Sequence, residues 1–309
     1  MSKVWFITGA GSGIGTGIAK AALHSGDRVV ATGRNLDKVR NALRDVTSKN
    51  LAFVQLDVTD EVQAKTAVEE AVKRFGRIDV LVNNAGYSLL GNFEEMTTAE
   101  IERQFATNFY GVVYVMRAVL PVMRQQRSGH IINISSVAGV VEFKHCAAYA
   151  ASKFAVEGIS LSVGVEGFGI KMTLVEPGFF RTDLLDDRNV KWPSNAIADY
   201  AAEGNVQETW SAYNGTQQGD PAKLGDALVK IAGMENPPKL FVVGSDAIAA
   251  IASAVEERLQ ATHAHDRAIE INGRFVLAIA QEASSNLRLC TSPFKTRQQD
   301  RGLNRKEQY

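Results

Sequence analysis

Thr8-Gly9-Ala10-Gly11-Ser12-Gly13-Ile14-Gly15 follows the apolar run Val4-Trp5-Phe6-Ile7 and opens a helical pattern over Ile14–His24. Strand, glycine-rich turn and helix in that order let backbone N–H groups approach a pyrophosphate at a helix N-terminus, because side chains are missing where the phosphates come close. The strict G-x-G-x-x-G spacing is absent, since Ile14 stands where its third glycine would be. The spacing present is T-G-x-x-x-G-x-G, and a bare strand-to-helix turn is the competing reading. On the dinucleotide reading Gly9, Gly11, Ser12, Gly13, Ile14 and Gly15 form the phosphate cradle.

Outward from this turn the same rhythm repeats. Val4–Thr8, Arg28–Ala31, Leu51–Leu56, Val80–Asn83, His130–Ile134, Lys171–Glu176 and Lys239–Val243 are short Val/Ile/Leu-rich runs without clean polar alternation, as strands buried on both faces require. Helical patterns lie between them, over 36–46, 61–75, 98–126, 149–167 and 222–234, and a last one over 247–260 follows the final strand. The expected fold is α/β: a Rossmann-type, doubly wound, seven-stranded parallel sheet with helices on both faces. Residues 1–260 are read as one catalytic domain. Residues 183–220 are a long insertion carrying Trp192, Tyr200, Trp210 and Tyr213, the pattern of a substrate lid. Residues 261–309 leave the βα repeat, and no role is assigned to them.

Composition narrows the functional classes. The 309 residues carry 34 Lys+Arg against 34 Asp+Glu, so there is no charge excess with which to bind nucleic acid. Cys146 and Cys290 are the two cysteines, too few for a disulfide framework or a multi-cysteine metal site, and no metal is expected. No run approaches 18 consecutive apolar residues and the first residues lack the pattern of a secretory signal, so a soluble cytoplasmic protein is expected.

The second strand selects the dinucleotide. It ends Val30-Ala31-Thr32-Gly33-Arg34, with no carboxylate to hold a ribose 2′-hydroxyl and with an arginine whose planar fork suits a 2′-phosphate. NADP(H) is therefore preferred, with NAD(H) as the alternative. Asp57, in Gln55-Leu56-Asp57-Val58, is placed to accept from an adenine amino group, and Val58 beside it belongs to the same cofactor set.

Tyr149-Ala150-Ala151-Ser152-Lys153 sets a phenol and an ammonium four residues apart on one helix face. A cation about 4 Å away, at an effective dielectric near 20, favours the phenolate by roughly 4 kcal/mol before opposing desolvation is counted. Such a tyrosine can act as a general acid–base. Other polar groups cluster at strand ends: Ser135-Ser136 after the fifth strand, Asn83-Asn84-Ala85-Gly86 after the fourth, and Pro177-Gly178 with Thr182 after the sixth, while Asn108 lies in the long helix between. Ligands of doubly wound sheets sit at those carboxyl ends.

With these motifs in this order, the sequence over about residues 3–260 resembles the short-chain dehydrogenase/reductase superfamily, in its compact branch, and is similar to bacterial oxidoreductases akin to 17β-hydroxysteroid dehydrogenases. The resemblance implies Tyr149 as acid–base, Lys153 as the group that binds the nicotinamide ribose and lowers the tyrosine's pKa, Ser136 as a hydrogen-bonding partner of the substrate oxygen, and Asn108 as holder of a relay water. It implies that Asn84, Ala85, Gly86, Pro177, Gly178 and Thr182 line the cofactor cleft, together with Tyr149 and Lys153. A homodimer or homotetramer is expected. So is a small carbonyl or alcohol substrate with an apolar body, given the aromatic lid and Phe179, Leu184 and Leu185 near its start. The readings in competition are an NAD-preferring alcohol dehydrogenase and a non-catalytic dinucleotide-sensing regulator.

Overall fold

A computed structural model of the chain describes residues 2–264, apart from Thr47, Asp187, Arg188 and Glu203. Seven strands form one all-parallel sheet: β1 (Val4–Ile7), β2 (Arg28–Gly33), β3 (Leu51–Gln55), β4 (Val80–Asn83), β5 (Gly129–Ile134), β6 (Ile170–Pro177) and β7 (Leu240–Val243). Their order across the sheet is β3-β2-β1-β4-β5-β6-β7. The chain thus winds one way from β1 and then back the other, and the reversal between β1 and β4 leaves a crevice at the strand ends. All seven strands coincide with the sequence expectation to within two residues at either end.

Alternation along the strands feeds two cores. Phe6 faces the layer of α3 (Glu61–Phe75), α5 (Gly111–Gln126) and α6 (Ala147–Ser162), where Val115, Met116, Val119 and Val156 are buried. Trp5 and Ile7 face the other layer, where Ile18 of α1 (Gly13–His24) and Leu224 and Leu228 of α9 (Pro221–Gly233) meet them. Each large side chain buried this way contributes about 1.5–3 kcal/mol. The remaining helices are α2 (Leu36–Ala42), α4 (Thr98–Phe105), α7 (Ala198–Ala201), α8 (Val206–Ser211) and α10 (Ser245–Ala264).

Three helix expectations need correction. The single helix expected over 98–126 is α4 and α5 joined by a π-helical turn, Ala106–Tyr110. Thr98–Gln126 has the length and apolarity of a membrane span, yet Val112, Val115, Met116, Val119 and Met123 within it are core residues. The helix expected to run to Gly167 ends at Ser162, because Gly164 takes a left-handed conformation, φ 62°. α2 stops at Ala42 rather than Val46. The lid region also contains two short helices, α7 and α8.

By internal packing the chain divides into Met1–Glu257 and Arg258–Tyr309. The first unit holds the whole sheet. The extension read over 261–309 lies, from residue 265 on, outside the described residues.

α1 and α9 cross at two glycines. A Cβ on Gly225 would lie 2.5 Å from the Gly17 carbonyl, and one on Gly17 would collide with the Pro221 carbonyl. Both obstacles are backbone, so the helices would have to separate. Gly17→Ala is expected to lower stability by about 1–3 kcal/mol in urea unfolding. Gly158→Ala, where a Cβ meets open space, is expected to leave stability equal or higher.

Candidate active site

The crevice at the carboxyl ends of the strands is a cleft of about 780 Å³. At one end lies the glycine turn. Gly9 (φ 65°) and Gly13 (φ 53°) adopt left-handed backbone, and a Cβ on Gly13 would press on the Thr182 side chain at 3.0 Å. Gly15 sits beneath the turn rather than on the cleft wall: a Cβ there would fall 2.5 Å from Asn84 Nδ2 and into the Gly9 carbonyl. Ser12 precedes α1 without capping it through its side chain, and the first turn holds no acidic residue. The positive end of the helix is therefore left for an external anion.

Thr8 ties the two halves of the crevice together. Its Oγ1 accepts from the backbone N–H of Asn84 (2.9 Å) and of Ala85 (3.0 Å), and Asn84 Nδ2 donates back to the carbonyls of Thr8 (3.0 Å) and Gly9 (3.1 Å). The turn after β1 and the loop after β4 are thereby one rigid piece. Arg34 stands exposed at the tip of β2, and Arg34, Asp57 and Val58 line the same end of the cleft. Asp57 Oδ1 is engaged, accepting from Thr59 N (3.0 Å) and Thr59 Oγ1 (2.8 Å). Ala85, Gly86, Pro177 and Gly178 complete this wall. Uncapped amides, a turn into which Cβ atoms would intrude, and an arginine at the β2 tip together fit a dinucleotide.

The floor of the cleft carries Tyr149, Lys153 and Ser136. Tyr149 and Lys153 lie on the buried face of α6, with Lys153 Nζ 5.7 Å from the centre of the Tyr149 ring. Nζ donates to the Ile134 carbonyl at 2.8 Å. Ser136 Oγ accepts from Ala138 N at 3.1 Å, capping the short turn Val137–Gly139 and leaving its own proton to donate. Ser135, also a cleft residue, turns its hydroxyl inward and buries it.

Electrostatics at the floor differ from the sequence estimate. Burial pushes the Tyr149 phenol above its ordinary value, and the nearby Ser136 hydroxyl opposes this only in part. Burial lowers Lys153 to about 8, against the carboxylate of Glu157, which raises it. Desolvation therefore decides the balance, and Lys153 does not offset it. The phenol keeps its proton at neutral pH.

Asn108 does not stand on the cleft wall. It is buried in the π-turn, where its Oδ1 accepts from Tyr87 N (3.1 Å) while Nδ2 donates to Tyr87 O (3.0 Å) and Ser152 Oγ (3.2 Å). Ser152 in turn donates to the Tyr149 carbonyl at 2.7 Å. Asn108 so fastens the loop after β4 to the first turn of α6. Two supports had no sequence signal. Gln104 holds Leu89 N (2.7 Å) and the Tyr87 carbonyl (2.9 Å), and Asp246 accepts from Phe179 N (2.7 Å) in the space a Gly178 side chain would fill.

Beyond Tyr149 the cleft is lined by Phe179, Leu184, Leu185, Trp192 and Trp210. Two aromatic lid residues lie off this lining. Tyr213 stacks on Phe179 with centroids 5.4 Å apart and is half exposed, and Tyr200 donates to Glu94 Oε2 at 3.0 Å.

Residues 3–192 match the short chain dehydrogenase family. The chain is 39% identical over 258 residues to oxidoreductase BOA17 of Botryotinia fuckeliana, covering 83% of this chain and 94% of that protein. It is 39% identical over 249 residues to a 3-ketodihydrosphingosine reductase of Bacteroides thetaiotaomicron, covering 78% and 88%. Among solved structures it is similar to ElxO with NADP bound, with a TM-score of 0.67, 29% identity, and coverage of 81% of this chain and 100% of that one. The chain belongs to the short-chain dehydrogenase family and is an oxidoreductase of that family.

Removing the Thr8 hydroxyl would leave two amides without an acceptor. Thr8→Val is expected to cost about 1–3 kcal/mol of stability by urea unfolding.

Proposed function

We propose that the protein interconverts a ketone or aldehyde and the corresponding alcohol, using NADP(H) and an apolar small-molecule substrate. The observation that carries this reading is the meeting of Tyr149, Ser136 and Lys153 on the floor of a cleft whose far end is the glycine turn. When bound, the nicotinamide dinucleotide supplies the hydride. The glycine turn and the start of α1 would hold its phosphates, Asp57 and Val58 would flank its adenine, and Thr182 with Pro177 and Gly178 would close on its other end.

The side chains on the floor handle the proton. Tyr149, protonated at rest, gives its proton to the carbonyl oxygen during reduction and takes it back during oxidation. Ser136 donates to the same oxygen and orients it. Lys153, anchored by Ile134, brings a positive charge to the phenol and a donor to the nicotinamide ribose. Asn108 keeps the α6 turn that carries the phenol in register with the loop after β4.

Arg34, with no acid beside it on β2, supports NADP(H) over NAD(H), and ElxO offers a relative that binds NADP. The aromatic and aliphatic lining supports an apolar substrate, as does the likeness to a reductase named for a long-chain ketone. Exposed Phe154 and Leu161 on α6 support self-association through that helix. Because the tyrosine, lysine and serine are all present at one site, catalysis is favoured over a purely regulatory dinucleotide sensor.

Turnover of NADPH with a panel of apolar ketones should fall about 100-fold or more in Tyr149→Phe, with the circular dichroism spectrum unchanged. Equal turnover would refute the acid–base role. Arg34→Ala should weaken NADPH binding about tenfold or more and leave NADH binding unaltered, as read by cofactor fluorescence titration. Since activity needs the Lys153 ammonium, turnover should fall as pH rises through about 8.

A further inference from the structure

The inward stripe of α6 continues one turn beyond the lysine. Tyr149, Lys153 and Glu157 follow each other at four-residue spacing and all three are buried. Glu157 is 9% exposed, and Glu176 of β6, which acts on it, is 3% exposed. Glu157 Oε1 and Ser135 Oγ are both buried, and the Ser135 hydroxyl is the polar group that acts on the carboxyl. Both oxygens converge beneath the turn Val137–Gly139: a Cβ on Gly139 would lie 2.6 Å from Ser135 Oγ and 3.3 Å from Glu157 Oε1. A side chain there would displace the Ser135 hydroxyl first and press on the carboxyl next.

Ser135 N donates to the Val175 carbonyl at 2.8 Å, which sets Glu176, next in the strand, beside the same turn. Two carboxyls and one ammonium therefore share a buried patch. With both carboxyls ionised the patch would carry a net negative charge away from water, so burial and like-charge repulsion favour keeping a proton. Burial and the Glu176 charge push Glu157 up to about 7, with Ser135 and Lys153 pulling the other way, and burial also raises Glu176. The other elements against this face add no further charge to it. The turn Val137–Gly139 has no titratable side chain. α4 meets α6 at Ala148 through Ile101, with Met96 of the preceding loop beside it, and the π-turn meets it at Ser152 through Asn108.

We propose that Glu157 is a positioning residue for Lys153: with Glu176 it forms a buried carboxyl pair that shares one proton and, on releasing it, supplies the counter-charge that keeps the lysine an ammonium. No bond changes other than this proton's transfer to solvent. The role in catalysis rests on the reading of Lys153 given under Proposed function, whereas the carboxyl pair does not.

The test is made on the full chain by two routes. In turnover of NADPH with an apolar ketone, Glu157→Gln should move the alkaline fall in activity to lower pH by about one unit. Glu157→Asp should restore most of that shift, and Glu176→Gln should leave the alkaline fall where it is or higher. Independently of turnover, carbon-13 NMR of glutamate carboxyls should show one group titrating near neutrality, absent in Glu157→Gln and moved to lower pH in Glu176→Gln. Nitrogen-15 NMR of lysine side chains should show Lys153 losing its proton earlier in Glu157→Gln. Absence of turnover by the wild-type protein would refute the proposed function alone, and the NMR titrations would still decide the carboxyl pair. The pair is overturned if every glutamate carboxyl titrates in the ordinary range. A pair that titrates as expected beside a lysine unmoved by Glu157→Gln overturns the positioning role.

Discussion

The hydroxyl of Thr8 accepts two amide protons from a loop 76 and 77 residues away in sequence, and the site depends on that junction. β1 pairs with β2 on one side and β4 on the other, so the loops leaving β1 and β4 diverge and a crevice opens between them. Two parallel strands alone would leave those loops independent. The Thr8 and Asn84 hydrogen bonds join them, fix the glycine turn at the mouth of α1, and leave the helix's first amides facing the cleft. Gly15 is part of the same constraint, since any side chain there would enter the space where Asn84 bonds.

The second organising feature is burial of α6. Its inward face places Tyr149, Lys153 and Glu157 out of water, and burial pushes each group toward its neutral form. What the helix supplies is therefore a set of protonation equilibria near neutrality or held protonated, not a preformed phenolate. Lys153 and Glu157, four residues apart on one buried face, act on each other's protonation: the carboxylate raises the lysine and the ammonium lowers the carboxyl. The Asn108–Ser152–Tyr149 chain of hydrogen bonds then fixes where that helix begins relative to the β4 loop.

Strand content was legible because strands buried on both faces are continuous apolar runs, and these were separated by helical patterns with clear ends such as Asp60 and Gly76 around α3. Glycine, tyrosine and lysine spacing likewise marked the two ends of the cleft, since local geometry alone sets them. Features made by long-range contact were not legible. The π-turn adds one residue to a helical period, which a pattern of apolar positions does not resolve. Gly17 and Gly225 read as ordinary helix glycines until their helices cross. Gln104 and Asp246 look like surface residues in sequence, and both are aimed at backbone far away. Tyr200 and Tyr213 read as pocket residues in sequence because the lid has no periodicity from which to tell which side faces inward, and both lie off the cleft lining. Spacing alone points to a phenolate favoured by Lys153, but burial, invisible in sequence, raises the phenol instead.

The central claim is that the crevice held together by Thr8 and Asn84 receives the dinucleotide. Hydrogen exchange of the full chain, read by mass spectrometry with and without NADPH, tests it directly. Slowed exchange is expected in peptides spanning 9–15, 84–86 and 177–182, with α3 unchanged. Unaltered exchange in those three segments at saturating NADPH would contradict it.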